Sequence, residues 1–139
     1  MKKQYILSIE DNRSDIALMK RIFNKEIPNC EVRYIEDGES AIQYFESPDF
    51  KNQPPSCILL DIKLPKMNGL EVLDYLRNKK KVNSVPVVML SSSDRPDEIN
   101  ETYALGGNSY VEKPKSFSEL KTRLPKIVDY WVGINKSFQ

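Results

Sequence analysis

Five short runs of branched and aromatic side chains alternate with segments of helical period along this chain, and that alternation restricts the fold more than any other feature. The strand candidates are "QYILSI" (4–9), "CEVRYI" (30–35), "CILL" (57–60), "VPVVML" (85–90) and "NSYVE" (108–112). Residues 13–27 carry an apolar stripe of Ile16, Met19, Ile22, Phe23 and Ile27 before Pro28, the mark of a helix closed by proline. Further helices are expected from Asp37-Gly38 to about Phe45, from Gly69 to Asn78, and from Pro96 to a stop at Gly106-Gly107. The last begins near Ser116, where Ser116 and Glu119 have capping-box spacing. Its apolar face is read as Phe117, Leu120, Leu124, Ile127 and Trp131, packed into the core, with Val128 and Val132 off the stripe. Pro125 is expected to kink it, because the ring crowds the carbonyl one turn back. "SPDFKNQPPS" (47–56) reads as a proline-punctuated loop.

Each crossover holds one helix, so the strands run parallel and the sheet is covered on both faces, an α/β doubly wound architecture. "CILL" and "VPVVML" are apolar throughout, as strands buried on both faces are, whereas "CEVRYI" alternates as a strand beside solvent does. The order 2-1-3-4-5 is one of the two common choices for such sheets, and ligands then bind outside the carboxyl ends of the strands. With 139 residues the chain has room for one domain, and it is read as a single module with no output domain after it. Its 21 basic and 20 acidic side chains leave a net charge of +1, which gives no global field toward nucleic acid or an anionic membrane. The apolar run after Lys2 and Lys3 meets Glu10 and Asp11 too soon for a signal peptide or a span, so a cytoplasmic protein is expected. Cys30 and Cys57 lack metal or redox spacing and are read as buried thiols. Histidine is absent, which removes Ser-His and Cys-His catalysis and His-ligated metals.

The polar residues at the carboxyl ends of four strands are Glu10 and Asp11, then Asp61, then Ser91, then Lys113. Neighbouring strands lie about 5 Å apart, so the first and third strands would bring Asp11 and Asp61 together with Glu10 nearby. Two carboxylates about 4 Å apart repel by about 4 kcal/mol at an effective dielectric near 20, so a cation must share the crevice. Oxygen ligands without imidazole or thiolate favour Mg²⁺. A carboxylate beside such a metal can attack phosphorus and form an aspartyl phosphate. Lys113 and Ser91 are placed to stabilise the phosphoryl oxygens, since phosphoryl transfer is mostly positioning and electrostatics.

"IED" (9–11), "LLDIKLPKMNGLEVL" (59–73), "PVVMLSS" (86–92) and "YVEKP" (110–114) together resemble the motif set of the response regulator receiver domain family, in order and spacing, over nearly the whole chain. The resemblance implies a (βα)5 flavodoxin-like receiver fold. It makes Asp61 the phosphoacceptor, Asp11 a direct Mg²⁺ ligand, Glu10 a ligand acting mainly through water, and the Lys63 backbone carbonyl the remaining protein ligand. Ser91 matches the hydroxyl switch residue, Lys113 the phosphoryl-binding lysine, and Tyr110 the aromatic switch. Pro114 matches a proline whose preceding peptide bond is usually cis. Lys63 and Ser93 stand where family side chains tune hydrolysis, and a long Lys63 covering the phosphoryl group would slow it.

The function implied is a single-domain response regulator of a two-component phosphorelay. A histidine kinase or phosphotransfer protein would supply the phosphoryl group, and the face of the fourth helix, fifth strand and fifth helix would carry the signal to a downstream protein. "EDNRSDIALMKRIF", "YALGGNSYVEKP" and the terminal "YW" look most like stand-alone receivers paired with phytochrome-type or hybrid histidine kinases. A homodimer through that same face is the further expectation. Two rivals stand beside this reading. A phosphatase of the haloacid dehalogenase type would need an acidic residue where Lys63 stands, and a phosphorylation-independent adaptor would leave the crevice without chemistry.

Overall fold

The computed structural model describes residues 4–138, so Lys2 and Lys3 lie outside the described residues. The elements follow as β1 (Tyr5–Ile9), α1 (Arg13–Glu26), β2 (Glu31–Ile35), α2 (Gly38–Phe45), α3 (Pro48–Asn52), β3 (Cys57–Leu60), α4 (Gly69–Asp74), β4 (Val87–Ser91), α5 (Pro96–Ala104), β5 (Ser109–Glu112) and α6 (Phe117–Val128). All five strands pair in parallel in the order β2-β1-β3-β4-β5. β1, β3 and β4 are buried at every position, as central strands covered on both faces must be. β2 lies at an edge, yet its five residues are all half-buried and do not alternate. Both of its faces are partly covered: Val32 and Tyr34 pack toward the α1 side, while the Arg33 guanidinium lies 3.9 Å from the centre of the Tyr5 ring.

The pleat sorts the core into two layers. Tyr5, Leu7 and Ile9 of β1 point to one face, where Phe45, Val72, Leu73 and Leu76 cover them. Ile6, with Leu59 and Val88, faces Met19, Ile22 and Phe23 of α1 and Leu124 and Val128 of α6. Val128, expected off the stripe of the last helix, is therefore core, at 3% exposure. At about 100° per residue, a position four beyond Leu124 returns to within about 40° of it, closer than Ile127 at about 60°. Phe117, Leu120, Ile127, Trp131 and Val132 are partly buried against the same layer. The helix continues through Pro125 and ends in wide turns over Asp129–Ile134, where the Asn135 amide donates to the Tyr130 carbonyl at 2.6 Å.

Three local readings change. The segment after Phe45 contains a helical turn, α3, because Ser47 caps it, Pro48 takes its first position, and Phe50 buries its ring 5.1 Å from Phe45. No peptide bond among the described residues is cis, so the Lys113–Pro114 bond is trans, the form X-Pro bonds prefer by about 0.5–1 kcal/mol. Cys57 is fully buried as expected, but Cys30 is only half-buried.

At the amino ends of β4 and β5, the Arg77 guanidinium is buried with no carboxylate among the described residues in an ion pair with it. It donates to the carbonyls of Gly106, Val82 and Val85 and to Asn108 Oδ1, each at 2.8 Å. Asn108 Oδ1 also accepts the Val87 amide at 2.8 Å. Gly106 is favoured there by its φ of +101°, and a Cβ would also press on the Arg77 stem at 3.0 Å. No helix among the described residues is long and apolar enough to cross a membrane.

Candidate functional site

The register of the sheet builds the site. Ile9 pairs with Leu60, so the next residues, Glu10 and Asp61, leave adjacent strands side by side. Backbone bonds fix both: the Glu10 amide donates to the Ile35 carbonyl at 2.9 Å, and the Asp61 amide to the Ile9 carbonyl at 3.1 Å. Carboxylate oxygens of Glu10, Asp11 and Asp61 lie within 4.8 Å of one another, with Glu10 and Asp61 buried and Asp11 exposed. Asn12 then turns the chain into α1, its side chain accepting the Asp15 amide while its own amide donates to Glu10. After β3 the chain must pass close over the site, and Gly69 permits it: a Cβ there would lie 2.1 Å from the Asp61 carbonyl oxygen. Asn68 and Glu71 close that turn with a full capping box, which opens α4.

Lys113 enters from the end of β5. Its amide donates to the Ser91 carbonyl at 2.6 Å, and its ammonium, mostly buried, donates to Glu10, to Asp15 Oδ2 at 2.9 Å and to Asp61 Oδ2 at 3.0 Å. Asp61 Oδ1 accepts the amide of Lys63 at 3.2 Å, and the Lys63 side chain is exposed. Ser91 is fully buried, its hydroxyl oxygen accepting the Ser93 amide at 3.2 Å. Tyr110 donates its hydroxyl to the Ser93 carbonyl at 2.7 Å. The Ser93 hydroxyl is held by Glu98 on the first turn of α5. Glu10, Asp11, Asp61 and Lys113 thus share one crevice, while Ser91, fully buried at the end of β4, is joined to Ser93 and through the Ser93 backbone to Tyr110.

Asp15 was not among the residues singled out from the sequence. A carboxylate in the first turn of a helix is favoured by the dipole wherever it occurs, so its type and position carry no special signal. Only the fold shows that it meets Lys113.

One ammonium facing several carboxylates leaves the crevice negative. Burial pushes the Glu10 carboxyl up to about 7 from 4.5, opposed by its hydrogen bond to Lys113 and reinforced by the charge of Asp61. Burial would lower the Lys113 ammonium, but the hydrogen bond to Glu10, the charge of Asp61 and the hydrogen bond to Asp15 outweigh it and raise it. A carboxyl that holds its proton more tightly folded than unfolded stabilises the fold most below about 4.5 and loses that contribution as pH rises through about 7. Metal-free protein is expected to lose about 2 kcal/mol of unfolding free energy between pH 5.5 and 8 in urea titrations from this group, a slope that Glu10→Gln removes. An unchanged slope in the variant would show that Glu10 is not the group responsible.

The oxygen donors of Glu10, Asp11 and Asp61 fit a hard divalent cation such as Mg²⁺, which keeps much of its shell as water. The model of the response regulator receiver domain family matches residues 6–125. The chain is 34% identical over 133 residues to the probable methanogenesis regulatory protein FilR2 of Methanothrix harundinacea, covering 95% of this chain and 86% of that one. It is 30% identical over 129 residues to response regulator Rcp1 of Synechocystis sp., covering 91% and 88%, and the Mn²⁺-bound structure of Rcp1 superposes with a TM-score of 0.85 over 98% and 99% of the two chains at 28% identity. The phosphorylated cyanobacterial phytochrome response regulator RcpA superposes with a TM-score of 0.88 at 31% identity, over 99% and 100%. With the parallel sheet in this order, the acidic crevice at its carboxyl edge and these likenesses, the chain belongs to the response regulator receiver domain family, whose members act as phosphoacceptor switches.

Proposed function

We propose that this protein is a stand-alone cytoplasmic response regulator that accepts a phosphoryl group on Asp61, in the presence of Mg²⁺, from a histidine kinase or phosphotransfer protein. The observation that carries the reading is the convergence of Glu10, Asp11 and Asp61 within 4.8 Å, with Lys113 on the Asp61 carboxylate. Glu10, Asp11, Asp61 and the Lys63 carbonyl would hold the metal, which when bound neutralises charge on the incoming phosphoryl oxygens. An Asp61 carboxylate oxygen forms the new O–P bond as the P–N bond of the donor phosphohistidine breaks, and the leaving imidazole takes up a proton. Lys113 and the Ser91 hydroxyl move to the phosphoryl oxygens. Water later cleaves the acyl phosphate, and Lys63, exposed beside Asp61, shields it and slows that step. Ser93, with its hydroxyl committed to Glu98, tunes the step through the loop it anchors.

The signal leaves through Ser93. When the Ser91 hydroxyl turns to the phosphoryl group it releases the Ser93 amide, and the Ser93 carbonyl is what holds the Tyr110 hydroxyl. A change at Ser91 therefore repositions Tyr110 on the face formed by α5, β5 and α6, where Tyr103 is exposed. That face would bind the downstream protein or a second copy of the chain.

The test is intact mass after incubation with acetyl phosphate, with Mg²⁺ or with a chelator. A single phosphoryl increment that requires Mg²⁺, is lost to hydroxylamine and maps to Asp61 is the expected result. A chain that takes no phosphoryl group, either from acetyl phosphate or from an active histidine kinase, would return the protein to the phosphorylation-independent reading.

A further inference from the structure

We infer that Asp15 is a positioning residue for Lys113, a second anchorage to which the ammonium retreats when a divalent cation enters between Glu10, Asp11 and Asp61. The inference rests on the metal reading above and adds a residue to it. A lysine ammonium has three N–H donors, and here three carboxylates take them: Glu10, Asp15 at 2.9 Å and Asp61 at 3.0 Å. Two of those partners are also two of the three groups whose oxygens converge for a metal. The cation and the ammonium therefore compete for the same oxygens and repel each other across the gap.

Asp15 is the one partner outside that group. It stands in the first turn of α1, where unpaired amides favour an anion, and its own amide is bonded to the Asn12 cap, so its backbone is fixed. Its side chain is 35% exposed against 3% for Glu10, so it carries its charge at lower cost than the buried acids do. Lys113, by contrast, is only 15% exposed. Without Asp15, an ammonium displaced from Glu10 and Asp61 loses all three of its carboxylate partners among the described residues and would sit beside a dication with its charge unmatched. Asp15 thereby raises the affinity of the crevice for the metal through the lysine, and keeps Lys113 close enough to reach phosphoryl oxygens afterwards.

Mg²⁺ titration followed by amide chemical shifts of the whole chain tests this, using wild type, Asp15→Asn, Lys113→Met and the double variant; the same spectra report whether each is folded. Asp15→Asn is expected to raise the Mg²⁺ Kd about fivefold in the wild-type background and less than about twofold in the Lys113→Met background, the coupling a double-mutant cycle isolates. Asp15→Glu, which keeps the charge, should restore binding. Equal factors in both backgrounds would make Asp15 a plain nearby charge and overturn the inference while leaving the metal reading intact. If Asp15→Asn does not change the Kd at all, the inference falls in the same way. A wild-type chain whose Glu10, Asp11 and Asp61 amides do not respond to Mg²⁺ would overturn the metal reading, and this inference with it.

Discussion

Asp61→Asn is expected to take up no phosphoryl group under conditions that load the wild type, and to be the more stable protein when metal is absent. The first effect follows from chemistry, since an amide oxygen is too weak a nucleophile to replace the carboxylate. The second follows from magnitudes. At an effective dielectric near 20, the pair of Lys113 and Asp61 at 3.0 Å gains about 5.5 kcal/mol, while two carboxylates within 4.8 Å of Asp61 cost about 7 kcal/mol together. Asparagine removes both sums, and Lys113 keeps Glu10 and Asp15 as partners. A gain of about 1 kcal/mol in unfolding free energy at pH 8 is expected, shrinking as Mg²⁺ is added to the wild type. Intact mass reads the first effect and urea unfolding with a chelator the second. A loaded Asp61→Asn chain would place the acceptor elsewhere, and a variant less stable than wild type would mean the acids are matched rather than crowded.

The second large effect is expected far from the crevice. Arg77→Met keeps most of the buried stem but removes every donor from the carbonyls of Val82, Val85 and Gly106, and leaves Asn108 with the Val87 amide alone. Buried acceptors without partners cost about 1–3 kcal/mol each when water cannot reach them, and part of that loss is recovered by relaxation, so a net destabilisation of about 3 kcal/mol is expected. Arg77→Lys should recover little, since one ammonium cannot span three carbonyls and an amide oxygen on two loops. The loss should appear as a lower midpoint in urea at unchanged slope. A shift below about 1 kcal/mol would show that water takes the guanidinium's place.

The sequence was legible where period and chemistry coincide. The strands at Cys57–Leu60 and Tyr5–Ile9 stand out because both faces are apolar and an acid follows each. Their pairing is expected to bring Asp11 beside Asp61 with Glu10 nearby; the register instead sets Glu10 directly beside Asp61, with an Asp11 oxygen within 4.8 Å of both. Legibility failed where the decisive partner lies far along the chain. Arg77 was not singled out from the sequence, because the carbonyls that draw it in belong to turns that only the fold brings near. Asp15 meets Lys113 across 98 positions, a pairing that no local pattern records. Pro48 hid a helical turn because proline both breaks helices and begins them, and Phe50 tips the balance by burying its ring. Val128 was misplaced by reading the stripe through Ile127, when the longer step from Leu124 keeps closer to the axis of the face.

Arg77 also decides where this molecule can yield. By gripping the Gly106 carbonyl it pins the trailing end of α5 to the floor of the sheet, whereas the leading end has no side-chain cap at Arg95 and is tethered by Ser93 through Glu98. A helix fastened at one end and leashed at the other swings about its fastened end. On the phosphoacceptor reading proposed above, a displacement at Ser93 would become a larger one toward Pro96, and the amino-terminal half of α5 would be the part of the surface that moves with it.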